Sequence, residues 1–449
     1  MPLTSFGRPL TILTCVLAIS SVFFMDIALA IAAFIITLLL VNEWAEVKLA
    51  TARLKDEVKF EESKLALKIV AGEIESVKMN VGSKSRFRIR VEPLFTWSSV
   101  DPNEIHEGNA ELTLKFSPEL AGEYDSEGFP VTYFGKRGLV QAAQRYAFPI
   151  QIKVYPRVLP VIVKAIEFLV KAGSKGVGDE PTEVKGRGLE YAGTREYLPG
   201  DTLRRIDHKA SAKLGKLMIK EFYAEAGLIV HLMYDIGAIG PKSKDELASA
   251  FLNTALGLAI GGVPFGLTVH DGETVFVHLE PVNPITALEA ALKHVLSSAE
   301  VEPEDLDALL EPRVSAKVNL LFVKLKASPL GPFIEASKER LKEPYLAVRR
   351  MAEESSSPIN IIAVTGLIGT ITPLMELSKT LAHKMGELRL ILPCRPWLEA
   401  ETLERAYRLY SRSSRAKRLL QSAGIRIEEQ LTLRKPSKKF SDAIPHVTG

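Results

Sequence analysis

Apolar positions crowd first at the N-terminal end of the chain. From Leu10 to Asn42 the only charged residue is Asp26, which divides two apolar runs of 16 residues each, Leu10–Met25 and Ile27–Asn42. One helix over the whole stretch would rise about 50 Å against a hydrocarbon core of about 30 Å. The pattern therefore predicts two helices turning at Asp26, each about 24 Å long. Lys48–Glu62 is charged and helix-prone and reads as a stalk. From Lys64 to Pro156 the period falls to two: Phe87, Ile89 and Val91 alternate with Arg86, Arg88 and Arg90, and the same alternation marks Ala110–Phe116 and Phe148–Tyr155. With turn clusters at Ser98–Asn103 and Tyr124–Gly128, this stretch predicts an antiparallel, immunoglobulin-like sandwich of about seven strands.

Beyond it, Pro160–Ala172 is helical in pattern, and Ala172–Asp179 is a glycine-rich linker lacking the Gly-Lys-Ser/Thr of a phosphate loop. From Gly227 strands and helices alternate. Strands are predicted at Leu228–Tyr234, Gly266–His270, Thr274–Leu279, Val318–Leu325, Asn360–Thr365, Leu388–Leu392 and Ile425–Leu433. Helices are predicted at Asp245–Ile260, Thr286–Ser298, up to about Glu354, Pro373–Met385 and Trp397–Ser422. Asp271-Gly272 signals a tight hairpin turn. Such alternation predicts a mostly parallel sheet flanked by helices. The multidomain organisation is then a hairpin anchor (1–47), a stalk (48–63), an all-β sandwich (64–157), a linker helix with a distinctive segment (158–226), a Rossmann-like α/β domain (227–433) and a disordered tail (434–449).

Trp44 suits a membrane interface, and Arg8, Lys48, Arg53 and Lys55 flank the apolar hairpin while its turn has no basic residue. The positive-inside rule places both ends, and the whole soluble part, in the cytoplasm of a cell membrane crossed twice. A cleaved signal peptide is the rival, with Ala28-Leu29-Ala30 as a cleavage site. The apolar run continues to Val41, which cleavage would leave exposed, so the hairpin is the preferred reading. Among the chain's 449 residues, 57 basic side chains meet 54 acidic ones, for a net charge of +3. That balance is not the field of a nucleic-acid binder. The two cysteines, Cys15 and Cys394, build neither a disulfide framework nor a cysteine zinc site.

The most distinctive stretch joins Gly186, Gly188, Glu190 and Tyr191 to Arg195, Tyr197, Pro199, Gly200 and Asp201, then Arg204, Arg205, Asp207 and Ser211. Pro199-Gly200 supplies a turn, Asp201 an N-cap for Thr202–Lys213, and Asp201, Arg204, Arg205 and Asp207 stand at ion-pairing spacings. The segment reads as a capped, salt-bridged brace or a partner-docking surface.

This run resembles the signature of the prokaryotic membrane-protein family called domain of unknown function 58 (DUF58). The resemblance covers nearly the whole chain, including Val154-Tyr155-Pro156 at the end of the sandwich. His208 stands where that family carries Trp, and Lys213 where it carries Arg. The resemblance implies two membrane helices, a sandwich, a von Willebrand factor A-like domain, and association with a MoxR-type AAA+ ATPase.

A von Willebrand A fold implies a divalent ion held by an Asp-x-Ser-x-Ser loop with a later Thr and Asp. Here the loop reads Asp235-Ile236-Gly237-Ala238-Ile239, and Thr365-Gly366 offers no Asp. One carboxylate is a poor site for a cation that dehydrates reluctantly, so the site is read as degenerate, with Asp235 its residue, and no cofactor is expected. No H-E-x-x-H, G-x-S-x-G or Cys–His constellation occurs. Arg405, Arg408, Arg412 and Arg415, with Lys417 and Arg418, make one face of the last helix basic, partly balanced by Glu401 and Glu404. The expectation is a non-catalytic adaptor at a lipid bilayer, binding an AAA+ ATPase and other proteins but no nucleic acid. The alternatives are a metal-dependent binder or enzyme using Asp235, and a cell-envelope assembly factor without an ATPase partner.

Overall fold

The computed structural model describes residues 3–52, 58–85, 87–105, 107–173, 191–196, 208–216, 218–222, 229–299, 301–302, 305–306, 312–327, 344–355, 357–369 and 371–429. The chain divides into a first unit, Met1–Pro156, and a second, Arg157–Thr432.

In the first unit, α1 (Gly7–Phe24) and α2 (Ile27–Ala52) pack as a hairpin. Met25 takes the left-handed conformation at the turn (φ 49°), and the Asp26 carboxylate caps α2 by accepting from the Ala28 N–H at 2.8 Å. Both helices are long and apolar enough to cross a membrane by length and composition. Their apolar side chains point outward, with Phe23 81% and Phe34 67% exposed. Helix α2 outlasts its apolar run: Val47 and Ala50, past Asn42, are buried in the core of the sandwich.

The stalk expected at 48–63 differs accordingly. Its start belongs to α2, and its far end is a strand, β1 (Val58–Phe60), where Phe60 stacks on Phe129 at 5.6 Å. The core contact of Phe60 outweighs the charge of its neighbours.

The sandwich continues with β2 (Leu65–Val70), β3 (Glu75–Ser83), β4 (Arg88–Val91), β5 (Ser98–Asp101), β6 (Glu104–Ile105), β7 (Gly108–Phe116), β8 (Gly122–Phe134) and β9 (Gln141–Tyr155). One sheet runs β1-β3-β7-β5 and the other β2-β9-β8-β4-β6. The two inner faces share one core built around Met79, Leu112, Phe116, Phe129, Tyr133 and Ile150.

Two expectations are corrected here. The strand count exceeds seven, and β2 pairs with β9 in parallel, so the sandwich is not purely antiparallel. Both turn clusters also lie largely in strands, the first leaving only Pro102-Asn103 as the connection between β5 and β6. Ser98–Asp101 is β5, and Tyr124–Gly128 lies inside β8, whose register shifts between Ser126 and Gly128. A Cβ on Gly128 would stand 1.9 Å from the Tyr146 carbonyl oxygen, so this glycine marks a close strand crossing and not a turn.

The second unit opens with α3 (Val158–Gly173), then β10 (Tyr191–Glu196), α4 (His208–Leu214) and β11 (Met218–Phe222), where β10 and β11 form an antiparallel pair. Next come β12 (Ile229–Asp235), α5 (Pro241–Ile260), β13 (Phe265–His270), β14 (Val275–Val282), α6 (Pro284–Ser298), α7 (Pro312–Ala327) and α8 (Pro344–Glu354). The unit closes with β15 (Ile359–Val364), α9 (Thr372–His383), β16 (Leu388–Leu392), a 3₁₀ turn (Pro396–Glu399), α10 (Leu403–Ser422) and β17 (Arg426–Glu429). The six-stranded sheet is ordered β14-β13-β12-β15-β16-β17 and is parallel except at β14. Residues 230–234 of β12 are all buried, as a central parallel strand covered on both faces requires.

The strand expected at Val318–Leu325 is instead part of α7. Val318, Phe322 and Leu325 are buried while Leu320 and Val323 are exposed, which is a helical and not a two-residue period. The tail at 434–449 lies outside the described residues.

Candidate functional site

The sheet's strand order reverses direction between β12 and β15, and open α/β sheets bind ligands in the crevice beyond the carboxyl ends of such strands. Asp235 ends β12 and Thr365 follows β15. The Asp235 Oδ1 accepts from the Gly237 N–H at 2.9 Å, and its Oδ2 accepts from the Thr365 hydroxyl at 2.8 Å. The Thr365 oxygen in turn accepts from the Leu367 N–H at 3.1 Å. Both carboxylate oxygens are thus engaged by the chain itself. Gly237 and Ile239 offer no side-chain oxygen, and Thr365 supplies a hydroxyl where a second carboxylate would be needed. The donors present do not fit a divalent cation. Among the described residues no group of three or more His, Cys, Asp or Glu side chains is placed to hold a metal.

The neighbouring feature is the N-terminus of α5, whose free N–H groups would otherwise attract an anion. Glu399, from the 3₁₀ turn after β16, fills it. Its Oε1 accepts from the Lys242 N–H and its Oε2 from the Ser243 N–H, both at 2.8 Å, and the Ser243 hydroxyl also donates to Oε2. A Cβ on Gly240 would stand 2.4 Å from Glu399 Oε1, so the helix start is bare where the carboxylate approaches. Cys394 is buried beside this cap, and burial, with the Glu246 charge, pushes its thiol up to about 12. It is a packed thiol and not a nucleophile.

One turn further along α5, Asp245 caps α3, accepting from the Arg157 and Val158 N–H groups at 2.8 and 3.1 Å. The Arg157 guanidinium lies 3.5 Å from Asp245 and 3.9 Å from Glu246, with Arg157 and Glu246 buried and Asp245 nearly so. Burial pushes both carboxyls above their ordinary values, against the pull of Arg157. This triad is a brace between helices.

Across the opposite half of the sheet runs a buried polar chain. His231 on β12 bonds through Nε2 to the Thr268 hydroxyl at 2.7 Å, and Thr268 to His278 Nδ1 at 2.9 Å. The other ring nitrogen of His231 has no hydrogen-bond partner and lies where a Cβ of Gly266 would be, 2.3 Å away. Burial, then the nearby His278, holds His231 down at about 3, so the ring is neutral. His270, at the end of β13, is also buried, lies edge-on to Tyr345 at 5.2 Å, and is pushed below its ordinary value by burial.

Of the distinctive segment, the described residues hold three members. Tyr191 and Arg195 lie on β10, and Ser211 lies in α4, where its hydroxyl accepts from the Met218 N–H of β11 at 2.9 Å. Gly186, Gly188, Glu190, Tyr197, Pro199, Gly200, Asp201, Arg204, Arg205 and Asp207 lie outside the described residues.

The basic face of α10 gains a second character. The helix buries only Ser413, Ala416 and Leu420. Its first half stands clear, with Leu403 88%, Tyr407 70% and Tyr410 50% exposed at a spacing of four and three. Trp397 meets Tyr410 edge-on at 5.4 Å. Arg408 pairs with Glu404, Arg405 with Glu401 at 4.0 Å, and Lys417 with Glu429 at 2.8 Å. The arginine period was legible in the sequence. The exposed apolar stripe Leu403–Tyr407–Tyr410 was not singled out in the sequence, and Glu399 and His231 carry no local signal of their distant partners.

Residues 193–302 match the family model described as "Protein of unknown function DUF58", which supports that family for this chain. No curated protein matches it. Among solved structures it is similar to the PapD-like domain of human CEP192, at 10% identity and TM-score 0.18, covering 22% of this chain and 84% of that one. It is also similar to the C. elegans MSP family member WR4, at 13% identity and TM-score 0.16, covering 22% and 97%. A third likeness is to the titin M3 domain, at 16% identity and TM-score 0.14, with the same coverage. Likenesses this weak carry no argument about the site.

Proposed function

We propose that this chain is a membrane-anchored, non-catalytic adaptor, and that its second unit is a von Willebrand factor A-like domain that binds proteins, among them a MoxR-type AAA+ ATPase. The observation that carries the reading is the exposed stripe of α10. Tyr and Arg side chains standing clear of the fold at helical spacing have the composition of interface hot spots, and Leu403 beside them extends the exposed apolar surface. The strand order, with its antiparallel edge strand β14 and an Asp at the end of the central β12, supports the von Willebrand-like assignment. The crevice supports a binding surface over chemistry, because Glu399 occupies the anion position of α5 and Asp235 is bonded to Gly237 and Thr365. The hairpin α1–α2 is read as the membrane anchor, with the rest of the chain cytoplasmic.

The test is co-purification from native membranes with the host's MoxR-type ATPase, identified by mass spectrometry. Wild type retains the ATPase, and the Tyr407→Ala/Tyr410→Ala variant loses it while melting unchanged. Equal retention by both removes α10 as the docking surface, and absence of the ATPase from both removes the partner assignment.

A further inference from the structure

We propose that the turn between β8 and β9 is a headgroup-binding foot, in which Lys136 and Arg137, with Arg8, take the phosphates of anionic phospholipids. This rests on the reading of α1 and α2 as membrane-spanning helices.

The turn is stitched to both helices at one level. From α2, Glu43 is 1% exposed, and its Oε1 accepts from the Arg137 N–H at 3.2 Å and the Leu139 N–H at 3.1 Å. Gly135 lacks a side chain where that carboxylate lies, since a Cβ there would stand 1.9 Å from Oε1. On the other side of the hairpin, the Thr4 N–H donates to the Leu139 carbonyl at 3.1 Å, its hydroxyl donates to the Gly138 carbonyl at 2.5 Å, and the Gly7 N–H donates to the Thr4 hydroxyl at 3.1 Å. A Cβ on Gly7 would stand 2.0 Å from the Leu139 oxygen, so the start of α1 presses directly on the turn. Val47 and Ala50 then lock α2 into the sandwich core.

This stitching fixes the turn's depth. The apolar run of α2 ends at Val41, and Glu43 lies two residues on, about 3 Å along the helix. The headgroup layer on each side of a bilayer is about 5–7 Å thick. Whatever Glu43 holds is therefore held in that layer.

What it holds is cationic. Lys136 and Arg137 are exposed at the tip, and Arg8 is exposed one residue into α1. Lys136 spans Phe87 at 5.6 Å and reaches Glu46 at 3.5 Å, and Lys48 lies over Trp44 at 4.8 Å, with Trp44 itself 42% exposed. Among the described residues the acids of this level are Glu43, which is buried under the turn, and Glu46, which faces Lys136. Arg137 and Arg8 are left to anions from the bilayer, and guanidinium groups suit phosphate. Each cation near an anionic leaflet is worth about fivefold in affinity.

The experiment uses the full chain in nanodiscs of phosphatidylcholine with and without phosphatidylglycerol, and counts retained lipids by native mass spectrometry after detergent extraction. Wild type keeps phosphatidylglycerol over phosphatidylcholine, and Lys136→Ala/Arg137→Ala, surface changes that leave the core intact, lowers that preference at least about fivefold, the share of Arg137, because Lys136 divides its charge with Glu46. Glu43→Gln keeps both cations but frees the turn, and its preference falls as well. An unchanged preference in the double variant overturns the proposal, and an unchanged preference in Glu43→Gln overturns the positioning by Glu43. Inorganic phosphate binding to wild type in pure phosphatidylcholine discs as tightly as the lipid overturns the lipid assignment. Alkaline carbonate extraction separates the two readings. A chain stripped from membranes by carbonate has lost the membrane reading, whereas one that resists carbonate without lipid preference has lost only the foot.

Discussion

Replacing Glu399 by Ala tests whether the crevice of the α/β unit is filled by design of the fold. The carboxylate takes two backbone N–H groups of α5 at 2.8 Å and the Ser243 hydroxyl, and Ser243 is 1% exposed. Removing it strands two helix-end donors and a hydroxyl in a place with little water, and removes a negative charge from the positive end of a 20-residue helix. Charge-assisted bonds of this kind contribute about 1.5–3 kcal/mol each, and water entering the vacated space recovers part of that, so a net loss of about 3 kcal/mol is expected. For a unit of this size it lowers the melting temperature by about 6–12 °C. Trp397, two residues from the mutation and the sole tryptophan in residues 157–432, reports the unfolding of this unit by fluorescence. Glu399→Gln keeps one acceptor and loses about half as much. Acetate restores stability to the Ala variant and does nothing to wild type, since only the variant has an open anion position. A loss under about 1 kcal/mol, with no response to acetate, would show that water caps α5 as well as Glu399 does, and would refute the filled-crevice argument.

Three further outcomes are expected. His231 is protonated in the unfolded chain below its ordinary 6.5 but stays neutral in the fold down to about 3, so its contribution is present above 6.5 and is lost as pH falls. By pH 5 it costs about 2 kcal/mol, and His231→Phe flattens the stability–pH curve of the second unit by that amount in chemical denaturation; an equally steep curve would show that the ring is not neutral. Tyr407→Ala and Arg408→Glu on α10 each leave stability within about 0.5 kcal/mol, as substitutions on an exposed face do, while ATPase retention falls; a large drop in melting temperature would make the stripe structural. A Pro445→Cys label in a Cys15→Ser background resists a membrane-impermeant thiol reagent in intact cells, and ready labelling would reverse the cytoplasmic assignment.

The elements legible in the sequence were those whose pattern is set within a few residues. The break at Asp26 announced two helices because a lone carboxylate in an apolar run is costly unless it caps, and it does cap α2. Asp271-Gly272 announced its hairpin because a glycine at φ +100° with an adjacent Asp is a local turn device. The errors came where a distant partner decides. Val318–Leu325 has apolar residues enough for a strand, and only the burial of every third or fourth of them makes it helical. Tyr124–Gly128 has turn composition, yet its glycine serves a strand from 18 residues downstream, with Tyr146 against Gly128. Phe60 sits among charges and is claimed by the aromatic core at Phe129 and Phe148.

The same distinction separates what was legible of the site from what was not. Asp235 was legible as the end of a buried strand, and Gly237 and Ile239 were read as lacking oxygens only against the Asp-x-Ser-x-Ser loop that the family resemblance implies. That a carboxylate would nonetheless stand in the crevice, and would come from Glu399, 157 residues after Lys242 at the start of α5, has no local trace. Together the two observations change what a weak cation site means here. An Asp left with open oxygens and a free helix N-terminus beside it would be an eroded binding site. An Asp bonded at both oxygens by Gly237 and Thr365, beside a helix already capped by Glu399, is a closed structural joint. A joint of that kind holds the 3₁₀ turn of Pro396–Glu399 against α5, and the turn leads directly into α10, so the stripe of Leu403, Tyr407 and Tyr410 is aimed by the residues that closed the crevice.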